Sequence, residues 1–241
     1  MAMDLNKDVF ILAIETSTDV CSVALSRNGE TIDSITVTEP RMQTSRMAPM
    51  VADILEANNL SVKDCAAVAV SSGPGSYTGL RVGVSMAKGL CFGAGIPLIG
   101  VNTLDLLAAQ GIALHKGDSG EKPADFVVPM IDARRMEVYQ AVYDGAGNRV
   151  SEIEPKLLET FSFSEIIAQK RVIFCGNGCK KFEEIAPRGD TIFIPCSPGA
   201  EFMSQLAFKK FKAELFEDVA YMEPFYLKEF SIGENKKKIL G

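Results

Sequence analysis

The chain has 241 residues, 47% hydrophobic and 23% charged, no tryptophan and a formal net charge of -6. That length accommodates one large domain or two of roughly 100–130 residues, and a core that needs no disulfide or structural metal. The acidic balance disfavours independent nucleic-acid binding, because phosphate neutralisation supplies most non-specific affinity. Any RNA it acts on is expected to be held by a partner.

Six cysteines (Cys21, Cys65, Cys91, Cys175, Cys179 and Cys196) sit in apolar stretches, which suits buried structural thiols in a reducing compartment. Cys175 and Cys179 are too widely spaced for a Cys-x-x-Cys site. The N-terminus lacks the basic segment and small-residue cleavage site of a signal peptide, and no apolar run reaches membrane-spanning length. A soluble, cytoplasmic protein is expected.

In chain order, residues 9–14 predict a buried strand. Strands at 21–26 and 31–38 follow, joined by a turn at Asn28-Gly29, a pair that tolerates positive φ. Thr44 or Ser45 is expected to cap a helix to about Asn58, with Pro49 in its first turn. Residues 66–71 form a strand, a glycine-rich turn opens a helix to about Phe92, and 97–101 form a further strand. Thr103 caps a short helix to Gln110 that Gly111 stops. The polar, breaker-rich segment 115–124 reads as a linker. The pattern then restarts, with strands at 126–131, 137–143 and 149–158. A helix opens at Ser162 or Ser164 and a strand follows at 171–175. A short helix at 180–185, a strand at 191–195 and an amphipathic helix over 200–216 complete the half. Each half thus reads βββαβαβα, dividing the chain into subdomains 1–114 and 125–241.

The segment Gly73-Pro74-Gly75-Ser76-Tyr77-Thr78-Gly79-Leu80-Arg81-Val82-Gly83 carries the most information. Its glycines permit positive φ and close approach, so it could face a phosphate or pack a helix tightly on a sheet. It matches neither Gly-x-Gly-x-x-Gly nor the P-loop, since Leu80-Arg81 stand where Lys and Ser/Thr are needed. The first hairpin carries Glu15-Thr16-Ser17-Thr18. Its equivalent in the second half carries Asp132-Ala133-Arg134-Arg135, where a phosphate clamp wants small residues for close amide approach. His115 is the single histidine and is expected to be a solvated linker residue, so neither a histidine metal site nor a Ser-His-Asp arrangement can be assembled. The basic run 236–238 is expected to be solvated.

Two helices look more apolar than their own core requires. Met47, Met50, Val51, Ile54 and Leu55 on the first, with Leu104, Leu107 and Ala108 on the second, are expected to form a partner interface. No catalytic, cofactor-binding or metal-ligating residue is assigned.

These residues together resemble the TsaB (YeaZ) family. The resemblance rests on 11–18, 21–25, Gly73 to Gly83, Asp132-Ala133-Arg134, Glu137-Val138-Tyr139 and Pro224-Phe225-Tyr226-Leu227, and spans almost the whole chain. Departures include Glu15 for an Asp, Gln43 for a frequent His, and Lys228 for an Arg. The resemblance implies a duplicated α/β fold of the actin-like ATPase (ASKHA, ribonuclease H-like) type. It also implies a non-catalytic subunit for synthesis of N6-threonylcarbamoyladenosine at tRNA position 37. Such a subunit pairs with the catalytic TsaD through N-terminal-lobe helices, is joined by the ATPase TsaE, and can self-pair in isolation. ATP and a metal ion are then expected on the partner subunits, none on this chain, with tRNA reached only through the complex and no membrane involved. The alternatives are an independent ATP-dependent small-molecule kinase, motivated by the glycine turn and duplicated halves, and a metallopeptidase, which the single histidine opposes.

Overall fold

The computed structural model describes residues 8–39, 43–117 and 122–227. Lys228 and the basic run 236–238 lie outside the described residues.

The first lobe opens with β1 (Phe10–Glu15), β2 (Cys21–Arg27) and β3 (Glu30–Val37). Asn28 and Gly29, at φ 55° and 88°, turn β2 into β3, as their sequence predicts. Helix α1 (Gln43–Ala57) and a 3-10 turn lead to β4 (Ala67–Gly73) and α2 (Tyr77–Ala94). Strand β5 (Leu98–Asn102) and helix α3 (Thr103–Gly117) follow. The sheet runs β3-β2-β1-β4-β5, with the β1–β4 and β4–β5 pairs parallel. Alternation along β1 sends Leu12 and Ile14 into the core under α1 and α2, while Ile11 and Ala13 face the opposite layer.

The second lobe contains β6 (Phe126–Asp132), β7 (Glu137–Gln140), β8 (Tyr143–Asp144) and β9 (Glu154–Leu157). After these come α4 (Ser164–Ile167), β10 (Val172–Cys175), α5 (Cys179–Glu183) and β11 (Thr191–Ile194). A 3-10 turn at Ala200–Met203 runs into α6 (Ser204–Lys212). Its sheet runs β11-β10-β6-β7-β9. In both lobes the first strand has its antiparallel neighbours on one side and its parallel crossover strands on the other. This shared βββαβαβα plan is the duplicated actin-like architecture.

Several boundaries differ from expectation. The predicted strand 137–143 breaks at Ala141 and Val142, and only 154–157 of the predicted 149–158 strand pairs with β7. Helix α1 starts at Gln43, so Pro49 lies in its second turn rather than its first. Helix α3 passes through Gly111 to Gly117. A Cβ on Gly111 would stand 2.7 Å from Cys175 Sγ, so this glycine serves close packing on β10 and stops nothing. His115 is therefore helical and 6% exposed, with Nε2 2.9 Å from Lys122 O, rather than solvated in a loop. The predicted 200–216 helix begins as a 3-10 turn and ends at Lys212. Met203 and Ala207 pack on Ile11, Ala13 and Ile99, so the chain from residue 200 returns to the first lobe across the expected subdomain division.

The eight expected interface residues are core residues. Met47, Met50, Val51, Ile54 and Leu55 are each at most 5% exposed and lie between α1 and the sheet. Leu104, Leu107 and Ala108 are at most 1% exposed and fill the second lobe, while Leu106 of the same helix fills the first. Helix α3 carries apolar residues on two faces because each lobe buries one of them. Met50→Asp or Ile54→Asp would place a carboxylate in a sealed apolar layer at a cost of several kcal/mol. Either is expected to abolish the cooperative thermal transition seen by circular dichroism, whereas Ala52→Asp on the exposed side leaves it in place.

Candidate functional site

A cleft of about 1080 Å³ opens between the lobes. Its first-lobe wall is made by Ser17, Thr18 and Asp19 after β1, and by Gly75 to Thr78 at the start of α2. Asp132 to Arg135 and Asn177 face them from the second lobe, and Tyr226 and Leu227 close one end.

The glycine turn is built to meet the first hairpin. Gly75 and Gly79 leave no room for a Cβ, because the carbonyl oxygens of Ser17 and Thr16 occupy that space. Gly83 leaves space for the Thr16 hydroxyl, which donates to Gly79 O at 2.8 Å. Ser76 N donates to Ser17 O at 2.7 Å, and Ser76 Oγ caps α2 by accepting from Gly79 N at 3.2 Å. Gly73, at φ 112°, leaves space for the carbonyl of Phe225, whose N–H donates to Ser72 O at 2.6 Å. The Tyr226 ring lies 4.8 Å from that of Tyr77, over which Arg81 sits at 4.7 Å. The segment that looked like a phosphate loop is thus largely a packing device, although Gly75 to Thr78 do reach the cleft.

Beneath this contact lies Glu15, which is 0% exposed. Burial pushes its carboxyl up from the ordinary 4.5 to about 7, and hydrogen bonds from Ser17, Ser71 and Thr16 oppose that rise only in part. Ser17 N donates to Glu15 Oε1 at 2.5 Å, while Glu15 Oε2, Ser17 Oγ and Ser71 Oγ are buried without a well-formed hydrogen bond. A neutral carboxyl suits this setting, since its proton satisfies an acceptor that a carboxylate could not.

The second lobe repeats the arrangement with a second glycine pair. Gly176, at φ 104°, accommodates the carbonyl of Met130. A Cβ on Gly178 would stand 2.8 Å from Val138 Cγ1 and 3.1 Å from Asp132 N. The Gly176-Asn177-Gly178 turn therefore holds the β6–β7 hairpin as the Gly75–Gly79 turn holds the first. Its sequence signal is Gly-x-Gly directly after a strand. Three amides of this hairpin are committed internally: Asp132 N to Asn177 Oδ1 at 2.9 Å, Arg134 N to Asp132 Oδ1 at 2.6 Å, and Ala133 N to Glu137 O at 3.0 Å. Those three are not available to a phosphate.

All six cysteines are free thiols; five are buried and Cys196 is half-buried. Burial pushes Cys65 and Cys91 up to about 11 and Cys179 to about 12, which makes them poor nucleophiles. Among the described residues, no group of three or more His, Cys, Asp or Glu is placed to hold a metal. Nor, among the described residues, is any helix long and apolar enough to cross a membrane.

Because the folded-state pKa of Glu15 is raised, its contribution to stability is complete below pH about 4.5 and is lost as pH rises through about 7. Glu15→Gln is expected to remove that loss and to exceed the wild type by on the order of 3 kcal/mol at alkaline pH. Urea denaturation across pH 5 to about 8.5 measures it, and an unaltered pH profile in the variant would assign the titration elsewhere.

Over residues 40–239 the chain matches the family model described as TsaD: tRNA N6-adenosine threonylcarbamoyltransferase. It is 35% identical to the tRNA threonylcarbamoyladenosine biosynthesis protein TsaB of Escherichia coli (strain K12), over 90% of this chain and 94% of that one. Identity to the protein of the same name from Haemophilus influenzae is 30%, over 92% and 94% of the two chains. The solved structure of YeaZ from Pseudomonas aeruginosa superposes with a TM-score of 0.78 at 28% identity, covering 91% of this chain and 100% of that one. With two glycine-packed hairpins facing one cleft, and with these relatives along nearly its whole length, the chain belongs to the TsaB (YeaZ) family.

Proposed function

We propose that this chain is a non-catalytic subunit of the cytoplasmic assembly that makes N6-threonylcarbamoyladenosine at tRNA position 37. In this reading it pairs with and stabilises the catalytic subunit TsaD and helps recruit the ATPase TsaE. The observation that carries the reading is the 35% identity, across 94% of its length, with a protein named for threonylcarbamoyladenosine biosynthesis. The site geometry supports it, because the second hairpin spends three of its amides internally and the acidic first hairpin buries Glu15 away from solvent. ATP and a metal ion are assigned to the partner subunits, and tRNA is reached only through the complex.

The pairing surface in this proposal is the solvent side of α1 and α2, not the buried residues beneath it. Helix α1 exposes Ala48 and Ala52, and α2 exposes Ser85, Gly89 and Gly93 at four-residue spacing. Phe92 is 85% exposed beside them. Small side chains flanking one protruding ring suit close helix–helix packing against another protein. Ala52→Arg combined with Ser85→Arg is expected to weaken co-purification of the transferase from native cells by about ten-fold or more, with an unchanged melting temperature. Undiminished co-purification would exclude this face.

A further inference from the structure

The β6–β7 hairpin holds two adjacent non-glycine residues in the left-handed region, Arg134 at φ 72° and Arg135 at φ 50°. Each such residue is strained and persists only where its surroundings over-determine it. Glycine or asparagine would make the same turn with less strain, so the turn itself has no need of arginine.

Lys181 supplies much of the constraint. Its Nζ donates to Asp132 Oδ1 at 3.1 Å, to Arg135 O at 2.8 Å and to Glu137 O at 2.5 Å. Only 16% of its side chain is exposed. An ammonium therefore fills the oxygen cage at the base of the hairpin and offsets Asp132. Asn177 ties the other flank by accepting from Asp132 N.

This network leaves the two arginines exposed on the lining of the cleft. Among the described residues neither guanidinium has an ion-pair partner. Ser17, Thr18, Ser76 and Thr78 line the opposite wall. Ser17 is 1% exposed and its side chain hydrogen-bonds Glu15, so the accessible hydroxyls on that wall are those of Ser76 and Thr78. Asp19 and Glu137 also line the cleft, which confines its positive character to the hairpin tip.

We propose that Arg134 and Arg135 form a receptor for a phosphate ester. The ester is held by guanidinium forks and facing hydroxyls rather than by backbone amides or a divalent metal, with Lys181 as the positioning residue. Guanidinium matches phosphate through paired parallel N–H···O bonds, and the amides of Asp132, Ala133 and Arg134 are already committed. The concave site favours a small ester over a nucleic-acid strand, given the net charge of -6. This inference is independent of the pairing proposed above.

Titration of the purified full-length chain by calorimetry, with inorganic phosphate, adenosine monophosphate, acetate and a short single-stranded RNA, tests it. Each titration is run with magnesium and with a chelator. Phosphate and the monophosphate are expected to bind equally well in both conditions and more tightly than acetate. Arg134→Gly with Arg135→Gly is expected to weaken that binding about ten-fold or more while holding or raising the melting temperature. Arg→Lys at both positions should recover part of the affinity but not the fork geometry, and Lys181→Met should weaken binding without touching the ligand. Three results would overturn the proposal: unchanged binding in the double-glycine variant, binding that requires magnesium, or binding confined to RNA. A fall in melting temperature in that variant would also count against it, by giving the arginines a structural role.

Discussion

The carbonyl oxygens of Thr16 and Ser17 lie where side chains at Gly79 and Gly75 would have to be. That contact fixes the start of α2 against the end of β1, and much of the first lobe follows from it. With α2 seated, Thr16 can donate to Gly79 O, Ser76 can both cap the helix and bond Ser17, and Glu15 is sealed below. The same requirement reappears in the second lobe, where Gly176 and Gly178 admit Met130 and Asp132. Duplication is visible in strand order and again in these two glycine-packed hairpins. The lobes then diverge in what each hairpin presents. The first shows hydroxyls; the second shows two arginines held in a strained turn by Lys181.

The C-terminal segment ties the cleft to the outer helices. Glu217 bonds Leu98, Lys88 Nζ holds the carbonyls of Ala220 and Met222 at 3.1 Å each, and Phe225 bonds Ser72. One strap therefore runs along α2 from the sheet edge to the mouth of the cleft. Its last described residues, Tyr226 and Leu227, line that mouth. Helix α3 provides the complementary link, burying Leu106 in one lobe and Leu104 and Leu107 in the other.

Element order was legible in the sequence because period-2 alternation and breaker residues are local signals. The glycine segment stood out for the same reason, although its role as a packing contact depends on Thr16 and Ser17, some sixty residues away. What local pattern cannot report is which side of an apolar helix another element covers. Met47, Met50 and Ile54 looked too numerous for one core, yet the sheet covers them all, and the exposed face belongs to Ala48 and Ala52. Gly111 reads as a helix stop in sequence and is a contact with Cys175 in space. The return of residues 200–227 to the first lobe has no local signature either, because it is decided by the open layer over Ile11, Ala13 and Ile99. The strained arginine pair was visible only as composition; its conformation depends on Lys181, nearly fifty residues downstream.

The proposed role is tested most directly by mass spectrometry of position-37 adenosine in tRNA from cells depleted of this protein. Loss of the threonylcarbamoyl modification is expected, restored by the wild-type chain and not by one carrying arginine at Ala52 and Ser85. Full modification of tRNA after depletion would contradict it.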